Sequence, residues 1–355
     1  MMWTPTEPSE YAHQLGISEE AIHLCRHHDF IDLHLDGFIP TRLFGYDLNR
    51  RHQQSLFGGR FFGHLDFPKT MDAGLTGAMW SITTNPLRTE KGRHAALLRN
   101  IAALKQITQE SDGHIVCVRT LREYRQAKKK GAHSLFMVIQ GGNALSKKQG
   151  YAHAIPDNLI TAVTLLHLTH SHLGASSTPL WSRKGTRLTH AGHELVRSLN
   201  EKRILVDLAH IHPDGFWDAV QTHDASQPLI DTHTGVSGVT PHWRNLDDAQ
   251  IKAIADTGGV VGVIFQKNFI QRRGIPSNIN LIVDHIDHII QVAGEDVPAL
   301  GSDYDGAIIP PAELKDGWAY PRLIQAMLDR GYSDDRIKKI IGGNFLNTFE
   351  RIRPS

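Results

Sequence analysis

The sequence predicts an α/β fold, a closed (β/α)8 barrel of the TIM type. Three observations predict it. Eight short apolar segments alternate with amphipathic segments of helical length, the pattern of parallel strands joined by helical crossovers. The strand segments are near-continuous apolar runs, as strands buried on both faces require. The 355 residues run without internal repeat, low-complexity tract or linker, so one core over residues 1–355 is the economical arrangement. An open doubly wound sheet is the alternative that the same alternation permits.

The elements follow in order. A helical extension over residues 1–29 precedes the first strand, about 30–36, which reads Phe30-Ile-Asp-Leu-His34-Leu-Asp36. The segment from Arg42 to Lys69 is rich in Gly, Arg and aromatics, among them Arg50, Arg51, Arg60, Phe61 and Phe62. It is expected to be a long loop over the active site that sets selectivity, with an oligomer contact as the alternative. Leu75–Thr84 is the second strand. Arg93 to Glu110 is helical, with Leu97, Leu98, Ile101, Leu104 and Ile107 at helical spacing. Ile115–Val118 is a short extended piece outside the count of eight. Thr120–Lys130 is helical and ends at Gly131. The later strands are Leu135–Ile139, Val163–Leu168, Ile204–Leu208, Leu229–Ile230, Val260–Ile264 and Pro298–Leu300, with helices at Ala191–Lys202, Asp247–Asp256 and Leu281–Val292.

Bulk composition narrows the function. Lys and Arg number 38 against 37 Asp and Glu, a formal net charge of +1. That balance supplies no field to attract nucleic acid or an anionic membrane. Two cysteines, Cys25 and Cys117, cannot make a disulfide framework. The opening residues lack a basic region followed by an apolar stretch, and no uncharged apolar segment is long enough to span a bilayer. A cytoplasmic protein is expected. The 23 histidines are many for the length, and a metal site would account for some of them.

In such a barrel the active site lies where strands turn into loops at their carboxyl ends. The first strand ends in His34 and Asp36, the third in Gln140-Gly-Gly, the fourth in Thr169-His170. The fifth ends Asp207-Leu-Ala-His210, the sixth Asp231-Thr-His233 and the eighth Gly301-Ser-Asp303-Tyr-Asp305-Gly306. Each ending alone has a structural explanation. A strand-end histidine is commonly just hydrogen-bonded, and Asp before Gly forms turns. Six such endings together point to a metal-centred site.

The motifs resemble the membrane dipeptidase (renal dipeptidase-like) family of the amidohydrolase superfamily, from about Asp32 to Ile352. The pieces that carry the resemblance are DLHLDGFIP, GHLDFPKTMDAGLTGAMWS, VIQGGNAL, LTHSHLGASS, ILVDLAH, DTHT, WRNLDDAQIKAIADTGGVVGV, ALGSDYDG and IIGGNFLNTFERI. The resemblance implies a homodimeric metallohydrolase, usually with two zinc ions, that cleaves dipeptides bearing a free carboxylate through a metal-activated hydroxide. By resemblance His34 and Asp36 hold one metal, and His210 and His233 the other. Asp303 shuttles the proton. His170 polarises the scissile carbonyl. Arg244 clamps the substrate carboxylate through its planar fork, with a surface salt bridge as the alternative role.

One position departs from the family pattern. Where the family carries a glutamate bridging the two metals, this chain has Gln140. An amide brings one good oxygen donor and no charge. Three outcomes follow: a single metal, recruitment of another carboxylate, or loss of turnover. Asp231, two residues before His233, is the candidate carboxylate, unless it pairs with another buried group. His172 shares the parity of His170 if that strand continues, and would add a ligand or line the pocket. Two further functions stay open: hydrolysis of another amide in a peptide-like conjugate, and a non-catalytic or altered-specificity homologue that binds a peptide-like ligand without a complete dinuclear centre.

Overall fold

A computed structural model describes every residue except 1–4, 54–55, 86–87, 180–184 and 273, and leaves out the side chains of Phe57 and Asp157. Among the described residues nine parallel strands are present: β1 Ile31–Leu35, β2 Gly77–Thr83, β3 Ile115–Cys117, β4 His133–Gln140, β5 Ile160–Thr164, β6 Leu205–Asp207, β7 Leu229–Thr234, β8 Val261–Val263 and β9 Pro298–Leu300. The sheet order is β2-β1-β9-β8-β7-β6-β5-β4-β3, and β2 also pairs with β4. That extra pairing closes eight strands into the expected barrel. β3, the short piece outside the count of eight, pairs with the opening residues of β4, Ile115 against His133.

Both faces of the sheet are buried, which is why the strand segments read as continuous apolar runs. On β4, Leu135, Met137 and Ile139 join one apolar cluster while Phe136 and Val138 join another. The second cluster is capped by the C-terminal helix Asn344–Ile352, whose Phe345 and Phe349 meet the Phe136 ring edge-on at 5.3 and 5.1 Å. Helix starts follow local chemistry. Thr89, Thr120 and Thr189 each accept a backbone N–H of the first turn, and Asp247 with Gln250 forms a reciprocal capping box. No described helix is long and apolar enough to cross a membrane.

Two expectations need correction. The fourth barrel strand does not run to Leu168: β5 stops at Thr164, and Leu168 takes a positive φ of 31°. His170 therefore sits in irregular chain six residues past the strand, and the parity argument linking it to His172 lapses. Periodicity missed this because the apolar run continues past Thr164 into a buried turn, Leu165 and Leu166. Pairing within β1 is irregular as well. Its register against β2 shifts between Asp32 and Leu35, so Asp32 and His34 do not do the same work. The 42–69 segment is less open than a plain loop. It holds the end of helix Phe38–Phe44, a 3-10 turn at Leu56–Gly59 and the start of helix Phe67–Asp72. Several bonds tie it to the chain after β9: the His64 amide donates to Asp305 Oδ1 (2.8 Å), the Asp305 amide to His64 Nδ1 (3.0 Å), the Gly317 amide to the His64 carbonyl (3.0 Å) and the Phe61 amide to the Ile308 carbonyl.

One histidine is purely structural. Trp80 Nε1 donates to His133 Nε2 at 3.1 Å, so His133 Nδ1 carries the proton and donates to the Leu75 carbonyl at 2.9 Å. The neutral ring is fully satisfied, and burial pushes its pKa down to about 4. An unfolded histidine takes its proton near 6.5. Between those values the unfolded chain binds the extra proton, so stability rises with pH across that window and is lost as pH falls through it. The stability gap between wild type and a His133→Gln variant should narrow by roughly 3 kcal/mol from pH 7 to pH 4. Urea unfolding of both at several pH values measures it, and parallel curves would refute it.

Candidate metal centre

Barrel closure sets the site. Beyond their paired residues, β1 and β9 keep exchanging backbone bonds: the Asp303 amide donates to the His34 carbonyl (3.1 Å) and the Asp36 amide to the Tyr304 carbonyl (2.8 Å). Asp32 braces this seam. Its buried carboxylate accepts from the amides of His34 (2.8 Å) and Ser302 (3.1 Å) and from the Tyr320 hydroxyl (2.6 Å). Asp32 is thus a bracket behind the site rather than a ligand in it.

At the mouth of that seam His34 Nε2 lies 3.7 Å from Asp36 Oδ2 and 3.8 Å from Asp303 Oδ1. The His34 ring stacks on His233 at 3.8 Å, and His233 Nε2 lies 2.8 Å from His210 Nε2. One donor atom each from His34, His233 and Asp303 all fall within 4.8 Å of one another. Both ring nitrogens of His34 and Oδ1 of Asp36 are buried without a hydrogen-bond partner. Buried orphan donors of this kind mark a place built for something else to bind. The set of imidazoles and carboxylates fits a divalent transition metal.

The supports are equally specific. His210 and Asp303 both hold left-handed backbone, φ 65° and 63°, a conformation that costs a non-glycine residue roughly 1–2 kcal/mol and collects at functional sites. A side chain on Gly306 would put its Cβ 2.0 Å from Asp303 Oδ1, so glycine there makes room for the carboxylate. Asp207 at the end of β6 accepts from the Thr164 hydroxyl (2.5 Å), the amides of Ala209 (3.1 Å) and Thr232 (3.0 Å) and the Thr232 hydroxyl (2.8 Å). Four donors mean it acts as an acceptor only. The Thr232 hydroxyl spends its proton on Asp207 and therefore accepts from His233 Nδ1 at 2.9 Å. The proton of His233 is held on Nδ1, and the Nε2 lone pair is left facing the cluster, the tautomer a metal ligand needs.

Burial and charge act in opposition. Burial drives His210 and His233 well below the ordinary histidine range, with Arg244 adding to the effect. At His34 burial pulls the same way, but Asp36 and Asp303 outweigh it and its pKa is raised. Burial raises Asp303, against the pull of His34. For Asp36 the His34 imidazole overcomes burial and holds the carboxyl low.

The remaining candidates fall in different places. Gln140 is buried at the end of β4, its Oε1 3.5 Å from the Ser81 hydroxyl. Arg244 is not a surface group. It is buried, with Nη2 donating to the His233 carbonyl at 2.7 Å and Nε without a partner. Asp231 is also fully buried. One oxygen accepts the His233 amide (3.3 Å), the other is unpartnered, and Arg244 counters the burial that pushes its carboxyl up to about 7. Asp231 thus lies within the field of Arg244 without an ion pair to it, and no bond joins it to Gln140 among the described residues. His170 takes part in a local contact, its Nδ1 accepting the Ser176 amide at 3.1 Å. The imidazole that joins the cluster from this loop is His167, which meets the His210 ring edge-on at 4.8 Å and 87°. In sequence His167 falls inside the apolar run Val163–Leu168 that reads as strand, which hides it; the spacing of His167, His170 and His172 is the signal that points to it.

A parallel barrel with buried imidazoles and carboxylates at the carboxyl ends of its strands is the architecture of the barrel metallohydrolases. This chain belongs to the membrane dipeptidase family (peptidase family M19), whose sequence profile matches residues 18–354. Its fold resembles dipeptidase AC, a metallopeptidase of that family, with a TM-score of 0.81 and 27% identity over 92% of this chain and 99% of the other. A Rhodobacter sphaeroides metallopeptidase, liganded with a phosphinate mimic of the dipeptide L-Ala-D-Ala, is similar at a TM-score of 0.80 and 25% identity, again over 92% and 99%. An uncharacterized Klebsiella pneumoniae protein of the pqqA 5' region is 39% identical over 171 residues, which span 47% of this chain and 62% of that relative.

The Asp207–Thr232–His233 relay yields a prediction. Thr232→Val keeps the shape and removes the hydroxyl, so His233 loses control of its tautomer. Zinc affinity should fall about tenfold with the fold retained. Competition titration against a chromophoric chelator reads it, and wild-type affinity in the variant would refute the relay.

Proposed function

We propose that this protein is a metal-dependent hydrolase of dipeptides or dipeptide-like amides with a free carboxylate, with zinc as its metal. The observation that carries it is the convergence of His34, His233 and Asp303 donor atoms within 4.8 Å. Family membership and the likeness to metallopeptidases, one of them liganded with a dipeptide mimic, support the substrate class.

In this proposal His34, Asp36, His210 and His233 hold the metal, with Gln140 offering an amide oxygen beside them. A divalent ion held there supplies Lewis acidity towards a carbonyl and a water. Asp303, at the edge of the cluster and 8% exposed, takes a proton at its carboxylate and returns it to the leaving amine. His170, on its loop, donates to the carbonyl oxygen as charge develops. The guanidinium of Arg244, whose Nε has no internal partner, receives the substrate carboxylate. The 42–69 segment, tied to the loop after β9, covers the site, and assembly as a homodimer belongs to the same proposal.

Gln140 favours a second function: a homologue of altered specificity, or one that binds a peptide-like ligand without a complete dinuclear centre. A panel of dipeptides assayed with zinc-loaded protein separates the two. Turnover abolished by a chelator and restored by zinc supports the hydrolase, whereas ligand binding without turnover supports the alternative. Asp303→Asn should fold, since asparagine tolerates left-handed backbone, and should lower kcat by at least ~100-fold. A variant with near-wild-type kcat would remove Asp303 from the proton path.

A further inference from the structure

We propose that His167 is an additional metal ligand of this pocket, supplying the coordination that the neutral amide of Gln140 does not. The proposal rests on the metal-centre reading above and adds a donor to it. Position comes first. β5 ends at Thr164, and the chain then stays against the end of β4, with the Gly141 amide bonded to the Thr164 carbonyl and the Gly142 amide to the Leu165 carbonyl. His167 Cβ lies 3.6 Å from where a Cβ on Gly141 would stand. Its imidazole therefore leaves the backbone beside Gln140.

Contiguity is the second observation. The His167 ring meets His210 at 4.8 Å, His210 Nε2 meets His233 Nε2 at 2.8 Å, and His233 stacks on His34 at 3.8 Å. Four imidazoles thus form one unbroken chain across the mouth of the barrel.

Charge completes the case. The carboxylates of the cluster are Asp36, a ligand in this reading, and Asp303, which handles the proton, and together they balance one divalent ion. A neutral imidazole adds a donor without adding repulsion between ions or surplus negative charge. A nitrogen-rich set of this kind suits zinc, cobalt or nickel better than magnesium or manganese.

The test uses metal-free full-length protein titrated with zinc against a chromophoric chelator, together with the visible absorption of the cobalt(II) form. Wild type, His167→Ala, Gln140→Glu and the double variant are compared. His167→Ala should bind zinc about tenfold or more weakly and change the cobalt spectrum. Adding Gln140→Glu to it should restore affinity, which a merely structural His167 would not allow. Should His167→Ala fail to fold, His167→Asn takes its place, with circular dichroism as the check. Wild-type zinc affinity and an unchanged cobalt spectrum in a folded His167 variant would overturn the proposal alone. A wild-type chain that takes up no zinc would overturn the metal centre and this proposal together.

Discussion

The seam between the first and last strands governs the rest of the molecule. In an open sheet β1 and β9 would be edges; here they pair, Asp32 opposite Leu300. The backbone bonds continue past the strands, so His34 and Asp303 emerge side by side. Asp32 makes that junction rigid by binding both strand ends and Tyr320 in a dry environment. A carboxylate in that position is expensive to bury, and only its full set of donors makes it tolerable. The reward is register: a slip of one residue would turn His34 away from the cluster.

Around that seam the protein accepts local unfavourable states and balances them with rigid surroundings. His210 and Asp303 hold strained backbone, and the ring nitrogens of His34 have no partner. Elsewhere the same protein satisfies a buried histidine completely, as at His133. The contrast is informative, because both rings are buried and only one is left with its hydrogen-bonding capacity unspent. Strain and unspent hydrogen-bonding capacity concentrated at strand ends are the marks of a preorganised site.

Within the family framework this chain has its own balance of charge. Gln140 contributes no charge at the end of β4, while Asp231 adds a buried carboxyl on β7. Asp231 and Arg244 act on one another behind His233, and Arg244 in turn depresses the imidazoles in front of it. The cluster is therefore set between an anionic side, Asp36 and Asp303, and a cationic one at Arg244. In the proposed function, that polarity would orient a peptide-like ligand by its carboxylate.

Much of this was legible in the residues alone. Continuous apolar runs follow from burial on both faces, so the eight barrel strands and their order of appearance could be read directly, and β9 falls at Pro298–Leu300 as expected. The candidate site residues His34, Asp36, His210, His233 and Asp303 were visible because each lies at or just past the end of a strand. Where β5 stops was not visible, since buried turn residues are as apolar as strand residues, and His167 was hidden for that reason. The relay from Asp207 through Thr232, the bracket at Asp32 and the burial of Arg244 were equally out of reach. Local pattern determined which segments pair with water and which with each other, because that choice depends only on neighbours in the chain. Which side chains meet at the mouth of the barrel depends on contacts between residues hundreds of positions apart, and only the closed tertiary structure decides those.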